Sequence, residues 1–411
     1  MGRPILVRGA RQLLTLRGPA GPRRGRYLRE LGVLPDGSVL ILDGLIHQAN
    51  VTRRIENLAL ARDAIEINAA GKVVMPGFVD SHTHLISGAP RLADFEAMIA
   101  GVRASEAAAH RWEIELTSGS TLERQAAKIL DDCVREGTTT LEAKSGFGVS
   151  EAGELKILRT YAALHEHPVS IVSTAMLSAS FAGGGAQGYQ ERLLPVVQRR
   201  RLAEFVDVEC EDDAYRYHEC RGFLQAARQL GFGLKIHSGQ RSATRAAELA
   251  METGAISIDH AIHIDEHQTT LLANIPTVAT LLPGSVFYLG GERYAQARRL
   301  IDAGVAVALA SNYNSRTCPS HNMQMMIGLA CRAMRMSPAE AISAATINGA
   351  HALRRAHRIG SIEEGKDADL LILAVPDYRE LPYHFGVNLV EQTIRRGQVI
   401  YRRGSVATAL S

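Results

Sequence analysis

The sequence predicts a (β/α)8 TIM-type barrel carrying a small discontinuous β-sandwich built from both chain ends, and three observations predict it. Eight short β-branched and apolar runs alternate with longer segments of helical spacing from residue 75 onward. The polar residues suited to chemistry fall at the C-terminal ends of those runs, the face on which such barrels build their sites. Both flanks are also strand-like, and neither alone carries enough strands for a stable sheet. The 411 residues, 46% apolar and 22% charged, suit a large barrel with an accessory domain. The expected division is residues 1–74 for the first part of the sandwich, 75–355 for the barrel and 356–411 for the return.

Taken in order, ILVRGARQLLTL reads as a strand and GPAGPRR as a turn-rich connector. The first 29 residues hold eight arginines and no acid, a composition shared with organelle transit peptides, but serines are absent and the strand reading is preferred. GSVLILDGLI supplies a further strand. The barrel strands are GFVDSH, TTTLEA, VSIVST, FVDVEC, GLKIHS, AISIDH, TVATLL and VALASN, with helical segments such as GELKILRTYAALHEH and SATRAAELAMETG between them. The connection over 88–137 is long for a barrel and is expected to hold helices of its own, near EAMIAGVRASEAAAH and STLERQAAKILDDCVRE. GSIEEGKDADLLIL then returns the chain to the sandwich, and DLLILAV and QTIRRGQVIYRRG complete it.

A net charge of +3 leaves no electrostatic footprint for nucleic acid or an anionic membrane, and no run of 18 apolar residues marks a membrane span. Five widely spaced cysteines without a CxxC indicate neither a disulfide framework nor a thiolate metal site, which fits a reducing cytoplasm. The informative stretch is MPGFVDSHTHL. Side chains two apart on a strand point the same way, so His82 and His84 can converge on one metal ion. His237 ends the fifth strand run and His260 the sixth, where the latter could polarise a scissile carbonyl. Asp259 is expected to alternate to the opposite face as a structural residue. His110, His165, His167 and His357 stand alone and read as structural.

These motifs resemble the amidohydrolase superfamily: PGFVDSHTHL, the histidines ending strands five and six, and GSIEEGKDADLLIL. Within it the chain is similar to the imidazolonepropionase family, through TTLEAKSGFG, LLPGSVFYL, NMQMMIGLACRAMRMSPAEAISAATINGA, ELPYHFGVN and GPRRGRYLRELGVLPDG. The resemblance implies hydrolysis of a ring C–N bond of 4-imidazolone-5-propanoate to N-formimidoyl-glutamate, a step of histidine degradation, with one divalent metal, Zn or Fe. It places the metal on His82, His84, His237 and the strand-eight position Asn312, with His260 and Asn312 as the catalytic pair. It places a carboxylate-bearing cyclic amide against Arg91, Phe147, Gln240, Asn314 and Thr317. A homodimer is compatible with this reading, and the sequence does not fix the oligomeric state.

The departures from that family lie in the same site. Phe147 stands where the family has tyrosine, Arg316 where it has glycine, and a histidine after strand three has no counterpart in MLSASFAGGG. Asn312 stands where an aspartate would bind metal and act as general base. A carboxamide cannot take a proton from water and return it to a leaving nitrogen, and losing such a base typically removes roughly two to four orders of magnitude in rate. The alternative is therefore a non-catalytic or re-specified member of the same family.

Overall fold

The computed structural model describes residues 2–101 and 112–404. Eight parallel strands follow one another around a barrel: Phe78–Thr83, Thr138–Lys144, Ser170–Leu177, Phe205–Cys210, Gly233–Ser238, Ser257–His260, Val278–Leu281 and Ala306–Leu309. A parallel bridge between Thr83 and Tyr313, and the bond from the Asn312 N–H to the His82 carbonyl (2.9 Å), join strand one to the end of strand eight. Asn312 therefore sits three residues beyond the last strand, in the loop that closes the barrel.

The flanking runs form a second sheet of eight strands. Five come from before the barrel, Ile5–Leu14, Val33–Leu42, Leu45–Val51, Ile65–Asn68 and Val73–Pro76. Three come from after it, Leu370–Leu373, Val390–Arg395 and Gln398–Arg402. The halves meet where Leu370–Leu373 pairs antiparallel with Val73–Pro76, two residues before the barrel begins. This sheet has its own apolar cluster, including Val7, Leu13, Val39, Ile46, Val74, Leu370 and Ile394, so burial on two sides explains its continuous hydrophobic runs.

In the long connection, helices run over Leu92–Ile99, Glu113–Leu116 and Gly119–Arg135. The last is the one expected from STLERQAAKILDDCVRE. It starts where the Ser118 hydroxyl accepts from the Thr121 N–H, and it buries Leu122, Ala126, Leu130 and Cys133 on one face. His110 and the end of EAMIAGVRASEAAAH lie outside the described residues. All five cysteines are free thiols, and no helix among the described residues is long and apolar enough to cross a membrane.

Candidate metal and ring-hydrolysis site

Alternation along the strands loads the barrel interior with charge. Glu142 and Lys144, Asp207, Lys235 and Asp259 are all buried and joined in one network. The Lys144 ammonium lies 2.6 Å from Asp207, 3.0 Å from Asp259 and 3.3 Å from Glu142, while Lys235 lies 2.6 Å from Glu142. Burial opposes the charge on Lys144, but Asp207, Asp259 and Glu142 outweigh it and hold the ammonium above the ordinary lysine range. Nothing in the sequence marks this layer as a unit. Its signal, strand by strand, was acids and lysines at alternate positions of otherwise apolar strands.

The histidines sit on top of that layer. His82 Nδ1 donates to Asp259 Oδ2 at 2.7 Å, which fixes its tautomer and leaves the Nε2 lone pair buried with no partner. Asp259 was expected to face away, and the structure corrects this. It is in register with His237 on the neighbouring strand, so both point to the same face. His260 follows at φ 81, and the left-handed turn ends the alternation. Its ring consequently lies 4.2 Å from that of His237 and 5.7 Å from that of His82, with both nitrogens buried and unpartnered.

His237 Nε2 donates to Gln240 Oε1 at 3.1 Å, leaving Nδ1 unpartnered. Ligand nitrogens of His82, His237 and His260 all lie within 4.8 Å of one another. His84 stands beside this trio, its ring 5.5 Å from that of His82 and its Nδ1 donating to the Ser145 carbonyl at 3.0 Å. Burial, with the Lys144 charge, lowers His84 to about 3 and holds His82 well below the ordinary imidazole range, and burial beside His237 and His82 holds His260 below that range as well. All three are neutral near pH 7, the form that binds metal.

Asn312 is buried at φ 55, its Nδ2 donating to Ser285 Oγ (2.6 Å) while Oδ1 has no partner. Its Oδ1 and the free nitrogens of His82, His237 and His260 thus form a set of orphaned acceptors, costly unless something electropositive satisfies them. A divalent ion fits this donor set.

The cavity above has a volume of about 190 Å³ and is lined by His84, Phe147, Glu209, His237, Gln240, Arg241, Asn312, Asn314, Arg316 and Thr317, among others. Asn314 and Thr317 bond to each other and to Asn312, fixing the loop after strand eight. The loop after strand five is tied down by Glu211, whose carboxylate accepts from the backbone of Gln240 (2.6 Å) and Ser242 (3.0 Å). Arg91 lies in a side cleft, with Phe147 and Arg316 between it and the main cavity, and is ion-paired with Asp94. The Arg316 guanidinium stacks 4.8 Å over the Phe147 ring.

A parallel barrel with a buried neutral histidine trio at the C-terminal mouth and a discontinuous sheet beside it defines a metal-dependent hydrolase architecture, and the sequence profile of the amidohydrolase family matches residues 73–400. The chain belongs to the amidohydrolase family and, within it, to the imidazolonepropionase group. It is 37% identical to the imidazolonepropionase of Alkaliphilus metalliredigens, over 98% of this chain and 99% of that one. It is 40% identical to that of Parabacteroides distasonis, over 96% and 98%. Among solved structures, atrazine chlorohydrolase from Arthrobacter aurescens complexed with zinc shares the fold, with a TM-score of 0.76 at 17% identity over 98% and 97% of the two chains.

Proposed function

We propose that this chain hydrolyses the ring C–N bond of 4-imidazolone-5-propanoate, giving N-formimidoyl-glutamate in histidine degradation. The observation that carries the reading is the set of orphaned acceptors on His82, His237, His260 and Asn312 beneath a small polar cavity, in a chain 37–40% identical over nearly its full length to relatives named imidazolonepropionase. One Zn or Fe ion, held by His82, His237 and the neutral Oδ1 of Asn312 from that set and by His84, whose ring stands 5.5 Å from that of His82, would polarise the ring carbonyl and lower the pKa of the attacking water, leaving His260 as the member of the set not used for the metal. His260, neutral and unpartnered, orients the carbonyl oxygen by donating one N–H. Gln240, Asn314 and Thr317 bind the ring edge, Phe147 packs on its face, and Arg316, which lines the cavity, supplies positive charge for the propanoate, with Arg91 reaching it only from the adjoining side cleft.

The test is elemental analysis of chain expressed with supplemented Zn or Fe, paired with an optical assay of imidazolone loss. About one equivalent of metal and a metal-dependent rate are expected. Less than about a tenth of an equivalent, together with no ring opening, overturns the reading.

A further inference from the structure

The reaction needs a group that moves a proton from water to the leaving nitrogen, and Asn312 cannot do it. The buried acids below the histidines are committed elsewhere. Asp259 holds His82 and Lys144, Glu142 and Asp207 hold the two lysines, and Asp80 holds Ser311. Among the described residues that line the cavity there is a single carboxylate, Glu209. It is the penultimate residue of strand four and is in register with His237 on strand five, so its side chain rises from the same face and is still 12% exposed.

Each oxygen of Glu209 accepts one bond from the protein. Oε2 accepts from the Ala179 N–H and Oε1 from Arg241 Nη2, both at 2.8 Å. Each oxygen therefore keeps a lone pair for another donor. Arg241 divides its charge between Glu209 and Asp213 and so braces the carboxylate without using it up.

We propose that Glu209 is the general base of ring opening, standing in at strand four for the carboxylate absent from strand eight. This rests on the ring-hydrolysis reading above. Glu209 takes a proton from the attacking water as its oxygen bonds to the ring carbonyl carbon. When the C–N bond breaks, its electron pair stays on nitrogen, and Glu209 returns the proton there. Water is consumed, the carboxylate is regenerated and no other reactant is needed.

The experiment compares wild type, Glu209→Gln, Asn312→Asp and the double variant E209Q/N312D for kcat, KM and bound metal. E209Q is expected to lose at least about a hundredfold in kcat with KM within about threefold and metal retained, and N312D is expected to recover at least about tenfold of that loss by returning a carboxylate at strand eight. A kcat within about threefold of wild type in E209Q overturns the assignment. So does loss of metal, which would make Glu209 a ligand, or failure of N312D to rescue, which would make its role structural. Should E209Q not fold, Glu209→Asp keeps the charge one methylene further back, and an undiminished kcat there is equally fatal. If neither wild type nor N312D opens the ring, the substrate reading fails first and the base assignment falls with it.

Discussion

The carboxylate of Asp259 reaches upward to His82 Nδ1 and sideways to Lys144, so one residue couples His82 to the charge network below it. Replacing it with asparagine keeps the volume but removes the charge, and the amide can present its NH2 to His82 as readily as its oxygen. The His82 tautomer is then no longer fixed. D259N is expected to weaken metal affinity by roughly 10–100-fold, measured by competition with a chromophoric chelator, and unchanged affinity would separate Asp259 from the site. At this scale the sequence was legible where alternation holds. His82 near the end of strand one and His84 just beyond it are two apart, and alternation brings their rings to 5.5 Å of each other. It was misleading at Asp259, because the left-handed turn at His260 lets Asp259 face inward alongside the His260 that was expected there. Glu209 escaped notice because an acid inside FVDVEC carries no mark of the face it occupies until its register with His237 is known.

Strands two, four, five and six contribute three carboxylates and two ammonium groups to a layer with almost no solvent. Desolvating five charges is tolerable only while each has partners, and the short contacts around Lys144 provide them. Lys144→Met leaves Asp207 and Asp259 without their shared cation and is expected to cost roughly 3–5 kcal/mol in urea denaturation. A loss under about 1 kcal/mol would mean that water or a proton replaces the ammonium cheaply. The strands themselves were readable from their β-branched runs, and all eight lie where those runs predict them. The pairing was not, because Lys144 and Asp207 are 63 residues apart and only closure of the barrel brings them together.

The N-terminal arm shows how the sheet and barrel are held as one molecule. Between the strands Ile5–Leu14 and Val33–Leu42 the chain crosses the floor of the barrel, at the opposite end from the cavity. There the backbone of Arg23 is gripped by Asn348, whose Nδ2 also reaches the Val307 carbonyl at the start of strand eight. Arg24 Nη1 donates to the carbonyls of Ala273 (3.1 Å) and Gly304 (3.0 Å), and Nη2 donates to that of Ile275 (2.6 Å), all in the turns that lead into strands seven and eight. The arginine-rich composition that imitates a targeting segment is thus partly a strap: fixed guanidinium forks suit three converging carbonyls, where a lysine ammonium would not span them. Composition alone could not reveal this, since the acceptors are backbone groups some 250 residues away. Bonds from a charged donor are worth about 1.5–3 kcal/mol each and do not add fully, so Arg24→Ala is expected to lose roughly 2–4 kcal/mol of stability. The folded variant should keep wild-type KM and metal content, because nothing in the strap touches the cavity lining. A denaturation midpoint indistinguishable from wild type would show that the arm lies on the barrel without holding it, whereas a changed KM would show that the floor and the mouth are mechanically linked through strands seven and eight.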